Sequence, residues 1–471
     1  MSSLSHGNLV NFRRKTVLGV LRTWRGLSGT ARMAITGEVR PSLPKEDMDH
    51  LRKQMQECLN SKGGEITARA QTVELGKTYL NLTEAGRAKF LQLLADDFDI
   101  DRAKLNKAVD ALKASDKKDA AKLENDLREA LITPRSTILR QFNSLPDGFK
   151  FLVDMRADLV PLVGKNISLK GLEYDLKNIL GAWFDVGLLD LVEITWNSPA
   201  AILEKLISYE AVHKVRSWDD LKNRMDTDRR VYAFFHNKMP HEPLIFVHVA
   251  LTKGLAGNVQ TILDESTPVL DINDADTAIF YSISNAQKGL AGISFGNFLI
   301  KRVVDKITRE LKQITHFSTL SPIPNFRMWL DPQLAKGDEK LFQPKEIKEL
   351  KGVIKSDNVA KGFGALLETD WYKEHKIEEK VKPVLMRLAA HYLINEKKKL
   401  TTLDPVAHFH LTNGATLKRL NWLGDTSTKG LKQAAGLMVN YYYDLNDIDN
   451  NHEDYVTEGK IAASRTVKGL L

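Results

Sequence analysis

Residues 278–324, AIFYSISNAQKGLAGISFGNFLIKRVVDKITRELKQITHFSTLSPIP, decide the fold of this chain. The apolar, β-favouring run from 278 to 283 predicts a buried strand, and a loop with three glycines follows it. Apolar residues then recur at helical spacing from Leu299 to Leu311, which predicts a helix. A second short apolar run, 314–320, predicts another strand. Strand, loop, helix and strand in this order predict a parallel βαβ unit with a right-handed crossover.

The loop of this unit contains Gly289, Gly292 and Gly296. Because glycine has no Cβ, such a loop lets the backbone approach a ligand closely, and the N–H groups at the start of the next helix favour an anion. The spacing G-x-x-G-x-x-x-G matches neither the P-loop nor the dinucleotide pattern G-x-G-x-x-G. Two interpretations stay open: a site for phosphate or diphosphate, and a loop whose glycines serve turn geometry alone.

The composition is that of a folded protein with a modest basic charge. Of 471 residues, 43% are hydrophobic, which supports sizeable cores in two or three domains. The formal net charge of +8 permits an anionic ligand but does not predict a nucleic-acid partner. Cys58 is the single cysteine, so a disulfide within the chain is impossible and a reducing compartment is expected. No apolar run reaches the length of about 18 residues that a membrane span needs.

Three regions of the chain differ in pattern. Residues 1–43 predict a basic N-terminal arm, because arginine and lysine dominate its charges. A mitochondrial transit peptide has the same features, so a cytoplasmic location is predicted with the mitochondrial matrix as the alternative. Residues 44–185 predict an all-helical domain of bundle type, interpreted as a scaffold or oligomerisation domain. Residues 186–471 mix strand-like and helical runs, and they predict the domain that carries the chemistry.

Four histidines of this third region are candidates for chemistry. His236, His241 and His248 lie near the strand-like runs of a predicted hairpin, but no carboxylate or cysteine completes a recognised spacing, so no metal site is predicted. His410 lies in the run PVAHFHL before Asn413-Gly414, a turn signal. The pattern predicts a strand, a turn and then a strand or helix. A histidine at the end of an element is the better catalytic candidate.

Three long segments resemble the malonyl-CoA decarboxylase family: FYSISNAQKGLAGISFGNFLIKRVV, FSTLSPIPNF and AHFHLTNGATLKRLNW. The similarity extends from about Leu131 to Tyr443. The resemblance implies an α+β multidomain architecture, in which an all-helical N-terminal bundle precedes a catalytic mixed α/β domain of the N-acetyltransferase (GNAT) type. It also implies a homotetramer and the conversion of malonyl-CoA to acetyl-CoA and CO2.

The same resemblance implies the site residues. It assigns Ser321 and His410 as catalytic residues that contact the substrate, and Tyr443 as a substrate-site tyrosine. It places the CoA part of malonyl-CoA, with its diphosphate, on a loop and helix start formed by Gly289, Ala291, Gly292, Ile293, Ser294, Phe295, Gly296 and Asn297. Relatives such as the animal enzymes carry a glutamate in this loop, whereas this chain has Ser294 and therefore lacks a carboxylate at that position.

Loss of CO2 from a malonyl thioester leaves an enolate. The site must therefore orient the carboxylate, stabilise the developing charge and protonate the α-carbon. The reaction needs no metal or organic cofactor, and none is predicted. His410 is assigned as proton donor, because an ordinary histidine pKa of about 6.5 suits transfer near neutrality, and Ser321 as its partner and proton acceptor. Two other functions stay open: an acyl-CoA-dependent acetyltransferase on the same fold, and a non-catalytic CoA-binding protein.

Overall fold

A computed structural model describes residues 17–21, 24, 39–59, 65–115, 119–164, 166–293 and 298–471. Most of the predicted basic arm lies outside the described residues. So do four residues of the glycine loop to which the sequence assigns a role in substrate binding, Ser294, Phe295, Gly296 and Asn297.

The first part of the structure is helical, as predicted. Polar side chains cap several of these helices at positions where the backbone N–H groups lack helical partners; Thr83 and Thr133 are examples. The helices are α1 Lys45–Leu59, α2 Glu65–Asn81, α3 Glu84–Asp97, α4 Arg102–Lys113, α5 Ala120–Ala130, α6 Pro134–Gln141, α7 Gly148–Val163 and α8 Ile167–Trp183.

The second part mixes strands with helices. Its strands are β1 Leu189–Ile194, β2 Arg229–His236, β3 Ile245–Thr252, β4 Thr277–Asn285, β5 His316–Thr319, β6 Ser321–Pro322, β7 Lys397–Lys398, β8 Thr401–Thr402, β9 Thr416–Asn421 and β10 Met438–Tyr442. Its helices are α9 Ala200–Tyr209, α10 Trp218–Asn223, α11 Val259–Leu263, α12 Phe298–Glu310, α13 Phe326–Lys336, α14 Pro344–Leu350, α15 Val359–Leu366, α16 His375–Ile394, α17 Pro405–Thr412, α18 Thr428–Ala434, α19 Ile448–Glu458 and α20 Arg465–Lys468.

One sheet organises this second part. Its strand order is β1-β2-β3-β4-β5-β10-β6, and β9 pairs with β10. The pairs from β1 to β4 are antiparallel, which confirms the predicted hairpin, whereas β4 and β5 are parallel. Helix α12 connects β4 to β5 and buries the apolar face that its spacing predicts, including Ile300, Val304 and Ile307. The strand, loop, helix and parallel strand of the βαβ prediction are therefore confirmed.

The helical part and the sheet part share one apolar core. A single cluster of buried side chains contains Leu91 and Leu152 of the helical part together with Phe280 and Val303 of the sheet part. Residue 185 therefore marks a change of secondary structure within a continuous core, and the limits of the domains stay a prediction. Among the described helices, no segment is both long enough and apolar enough to cross a bilayer.

The sequence-based prediction for residues 405–411 is wrong. The segment forms helix α17 instead of a strand, and the predicted turn at Asn413-Gly414 then leads into strand β9. The side chain of Asp404 accepts hydrogen bonds from the backbone N–H groups of Val406 and Ala407, and Pro405 occupies the first turn. An Asp cap followed by proline is a helix start signal, and here it outweighs the β-favouring apolar residues.

Candidate active site

Ser321 lies where the partner of strand β10 changes from β5 to β6. It is the first residue of β6, its register partner is Val439 in β10, and it is 6% exposed. Its Oγ lies 2.8 Å from Thr319 Oγ1 and 3.0 Å from Nε2 of His410. Pro322, which follows in the same strand, cannot donate a backbone hydrogen bond. The contact between Ser321 and His410 joins residues that are 89 positions apart in the sequence.

His410 lies in the last turn of α17 and is 2% exposed. Its ring stacks on Tyr441, with 4.6 Å between the ring centroids. The other ring nitrogen, Nδ1, lies 2.7 Å from the hydroxyl of Tyr443, which is itself 2% exposed. The backbone N–H of Tyr443 donates to the carbonyl of Phe317, and this bond fixes the end of β10 beside β5. The structure thus brings Ser321, His410 and Tyr443 into one hydrogen-bonded row.

The hydrogen-bond inventory of this row assigns the histidine tautomer. The phenol of Tyr443 can donate to Nδ1 or accept from it, and because the Ser321 O–H donates to Thr319, every group of the row is paired when the Tyr443 O–H donates to Nδ1. The ring proton of the neutral imidazole then resides on Nε2 and points at Ser321 Oγ, while the serine O–H is directed to Thr319. Nε2 is therefore the protonated nitrogen of the neutral ring, and it faces Ser321.

Burial controls the charge of this histidine. It lowers the pKa of His410 from 6.5 to about 3. Among the described residues, no carboxylate forms an ion pair with the ring to offset the burial. The protein without substrate therefore holds a neutral imidazole at physiological pH, so the expectation of an ordinary pKa near 6.5 is wrong. Donation of a proton requires the charge of a bound substrate to raise this pKa first.

The lowered pKa predicts how His410 responds to acid. The unfolded chain binds a proton at this ring below about pH 6.5, whereas the folded chain binds it only near pH 3, so His410 makes stability fall as pH falls through that window. We expect the Cε1–H signal of His410 in histidine-labelled protein, assigned by its loss in His410→Asn, to stay at the neutral position down to about pH 4.5. A titration midpoint near 6.5 would contradict this burial argument.

A cavity of about 590 Å³ opens beside the hydrogen-bonded row. Ser321 and His410 line it, and so do Gly292 and Ile293. These two residues belong to residues 289–293, the described part of the glycine loop, which is called the glycine turn below. This volume lies within the range of about 300–1,000 Å³ that is common for ligand pockets. Gly292 has a φ of +71°, a backbone conformation that favours glycine. The glycine turn and the Ser/His pair therefore lie on the wall of one pocket.

The glycine turn rests on the helical part of the chain. A Cβ on Gly289 would lie 1.7 Å from the carbonyl oxygen of Val153 in α7, so the position has room only for glycine. Arg156, also in α7 and 2% exposed, donates hydrogen bonds to the carbonyls of Gly289, at 2.6 Å, and Ala291, at 2.9 Å. The remaining charge of Arg156 is balanced by Glu173, at 2.6 Å. Arg156 thus fixes the turn to α7, and Gly289 and Ala291 contact the helical part of the chain and not the pocket.

A second buried polar pair holds another wall of the pocket. Glu210 accepts hydrogen bonds from the backbone N–H groups of Val212 and His213 and from the hydroxyl of Ser282. Its carboxylate lies 3.3 Å from His248, and both side chains are fully buried. Burial acts to raise the pKa of Glu210, but the adjacent imidazole of His248 and the hydrogen bonds from the N–H of His213 and the hydroxyl of Ser282 lower it to about 2. Val212, which lines the pocket, is therefore held by a permanent carboxylate.

Some predicted site residues have other surroundings than expected. Tyr443 contacts Nδ1 of His410, on the side of the ring away from Ser321, and is not among the residues that line the pocket; its contact with substrate stays a prediction. His236 accepts a hydrogen bond from the N–H of Lys238 and stacks on Phe149, and His248 pairs with Glu210. Within the described part of the chain, no three His, Cys, Asp or Glu side chains are grouped as metal ligands.

Family models match most of the chain. The model described as the Malonyl-CoA decarboxylase C-terminal domain matches residues 187–471, and the one described as the Malonyl-CoA decarboxylase N-terminal domain matches residues 98–184. The chain is 40% identical over 418 residues to "Malonyl-CoA decarboxylase, mitochondrial" of Anser anser anser, covering 85% of this chain and 83% of the goose protein. It is 38% identical over 421 residues to the mouse protein of the same name, covering 86% of each.

Solved structures give the same result. The crystal structure of malonyl-CoA decarboxylase from Rhodopseudomonas palustris superposes with a TM-score of 0.82 at 40% identity, covering 90% of this chain and 99% of that one. The Agrobacterium vitis structure of the same name superposes with a TM-score of 0.79 at 38% identity, covering 89% and 99%. The pocket described above thus belongs to a chain whose whole second part matches one catalytic family, and this chain is a member of the malonyl-CoA decarboxylase family.

Proposed function

We propose that this chain, a carboxy-lyase by its family, converts malonyl-CoA to acetyl-CoA and CO2 through an enolate held between Ser321 and His410. The observation that carries the proposal is the 3.0 Å contact between Ser321 Oγ and His410 Nε2 on the wall of the pocket. The turn at Gly292 and Ile293 reaches the same pocket, so a CoA phosphate on that turn directs the acyl end towards the pair.

The proposed proton balance follows from the buried imidazole. The malonyl carboxylate enters a pocket whose histidine is neutral, and the opposite charge favours the protonated ring, so substrate and one solvent proton bind together. CO2 then leaves, and Nε2–H of His410 protonates the α-carbon of the enolate. The ring is left neutral with its proton on Nδ1, where the hydroxyl of Tyr443 accepts it, and the next solvent proton binds at Nε2, so one proton is consumed per turnover. The hydroxyl of Tyr443 can donate to Nδ1 of the neutral ring or accept from Nδ1–H of the charged ring.

Ser321 acts as the partner of this histidine. In the absence of substrate its Oγ accepts the Nε2–H of His410 and its own O–H is directed to Thr319. With substrate bound, the serine hydroxyl is a donor for the carboxylate or for the thioester oxygen on which the charge of the enolate develops. Preorganised donors at such an oxygen are typically worth about 3 kcal/mol of barrier.

Incubation with malonyl-CoA alone tests this function. We expect acetyl-CoA and CO2 in a one-to-one ratio without any added acceptor, and one deuterium in the acetyl group when the reaction is run in D2O. A product that forms only after an amine is added would support the acetyltransferase. Tight binding of malonyl-CoA without turnover would support the non-catalytic CoA-binding protein.

The finer architecture and the assembly are part of the proposal. An antiparallel β1–β4 sheet, then one parallel β4–β5 pair with a glycine turn between them, supports a GNAT-like catalytic domain. We infer a homotetramer, which light scattering on the purified protein tests.

A cytoplasmic location stays our prediction, although the names of the goose and mouse relatives include the word mitochondrial. We expect full activity after dialysis against a chelator, because the proposed steps use no metal or organic cofactor.

A further inference from the structure

Lys177 of helix α8 reaches the glycine turn from the helical part of the chain. A Cβ built on Gly292 would lie 3.7 Å from the ammonium nitrogen of Lys177, and beyond the two chain neighbours of Gly292 no other described atom would lie within 4 Å. Gly292 lines the pocket together with Ser321 and His410. Among the described residues, the ammonium group of Lys177 is therefore the nearest group on this side of the turn.

This ammonium group has no polar partner among the residues that the structure describes. Lys177 is exposed, and it forms no hydrogen bond or ion pair with any described residue. Its natural partner on a helix is Glu173, four residues earlier, because side chains at that spacing are neighbours. The carboxylate of Glu173 is instead bound to the buried guanidinium of Arg156, at 2.6 Å. Because Arg156 occupies Glu173, Lys177 lies at the edge of the turn without an ion-pair partner in the described part of the chain.

The backbone of the turn has a free donor beside this cation. Within the described residues, the N–H of Gly292 donates to no acceptor, whereas the N–H groups of Ala291 and Ile293 bond to the carbonyls of Lys288 and Leu290. Arg156 holds the carbonyl of Ala291 on the side of the helices. An unpaired N–H in a positive-φ turn and an adjacent ammonium group form a pair of donors suited to phosphate oxygens.

We propose that Lys177 binds a phosphate group of CoA at the Gly292 turn, so that the helical part of the chain supplies part of the substrate site. This inference rests on the proposed function for the identity of the ligand. The contact involves a part of the substrate remote from the reacting carbon. It therefore contributes equally to the ground state and the transition state, and its loss changes KM and not kcat.

The matched test compares Lys177→Gln with Lys170→Gln, a change at another exposed lysine two turns earlier on α8. We expect Lys177→Gln to weaken CoA, measured by calorimetry, and to raise KM for malonyl-CoA by roughly tenfold each, with kcat unchanged. Lys177→Arg should restore most of the affinity, because the charge is kept. Lys170→Gln should match the wild type in both measurements.

Truncated substrates separate a phosphate contact from a structural role. With malonyl-pantetheine, which has no phosphate, Lys177→Gln and the wild type should have equal kcat/KM. With malonyl-dephospho-CoA, a remaining tenfold difference assigns the contact to the diphosphate, and a vanished difference assigns it to the 3′-phosphate. An unchanged dissociation constant for CoA in Lys177→Gln, or an equal loss on malonyl-pantetheine, overturns the inference. Failure of the wild type to decarboxylate malonyl-CoA overturns the proposed function instead, and the CoA dissociation constants still decide the role of Lys177.

Discussion

Replacement of His410 by asparagine should lower kcat on malonyl-CoA by about two to four orders of magnitude, the usual contribution of a positioned acid or base. The asparagine side chain is of similar size and remains polar, but it cannot carry the proton that the enolate needs. Calorimetric binding of CoA should change by less than about threefold, because the CoA turn is separate from the imidazole. Steady-state kinetics and calorimetry on the same preparation measure both quantities.

The exposed pair His316–Tyr442 provides a matched control. Its Nδ1 to hydroxyl distance, 2.8 Å, is close to the 2.7 Å of the buried His410–Tyr443 pair, and Tyr442 is the chain neighbour of Tyr443. His316→Asn should therefore keep wild-type kcat.

Ser321→Ala should lower kcat on malonyl-CoA by about two to three orders of magnitude. Because Ser321 and His410 act as a unit, kcat of the double variant should be only slightly lower than kcat of the less active single variant. A His410→Asn enzyme with kcat within threefold of wild type would contradict the assignment.

Replacement of Gly289 by alanine should lower the free energy of unfolding by about 3 kcal/mol and raise KM for malonyl-CoA. The added Cβ would lie 1.7 Å from the carbonyl oxygen of Val153, a backbone atom that cannot rotate away. Overpacking of a tight core contact typically costs about 1–3 kcal/mol. Any relief must move the turn away from α7 and break the hydrogen bonds from Arg156 to the carbonyls of Gly289 and Ala291. Urea unfolding and initial-rate kinetics measure the two effects.

Gly181→Ala is the matched control for this change. Gly181 lies within helix α8, and apart from its chain neighbours and the adjacent backbone of the same helix no described atom lies within 4 Å of the Cβ that would be added. Alanine is favoured over glycine inside a helix by about 0.5–1 kcal/mol, so this variant should be slightly more stable than the wild type. If Gly289→Ala unfolded at the same urea concentration as the wild type and kept its KM, the contact between α7 and the glycine turn would contribute neither to stability nor to substrate binding.

Local sequence patterns were sufficient to predict the framework around the site. The strand at 278–283, the glycines after it and the helical spacing from Leu299 are properties of adjacent residues, and they predict the βαβ unit correctly. Ser321 ends this unit, and its contact with His410 agrees with the resemblance that singled out both residues. The element that carries His410 was predicted wrongly, because Asp404 and Pro405 set the helix start against apolar residues that favour strands.

Long-range contacts could not be read from the sequence. Arg156 reaches the glycine turn across 133 residues, and nothing in its own helix distinguishes it from a surface arginine. The interpretation of the helical region as a scaffold or oligomerisation domain therefore omitted its support of the turn. The charge state of His410 was also out of reach, since its pKa near 3 results from burial by elements distant in the chain.

The most direct measurement is a crystal structure with a malonyl-CoA analogue whose carboxylate is replaced by a sulfonate, so that CO2 cannot leave. We expect a phosphate group at the Gly292 turn beside Lys177 and the sulfonate between Ser321 and His410. The α-carbon should lie within about 3.5 Å of His410 Nε2, the range in which proton transfer is effective. An analogue bound outside this pocket, or one whose acyl end points away from Ser321 and His410, would contradict the account.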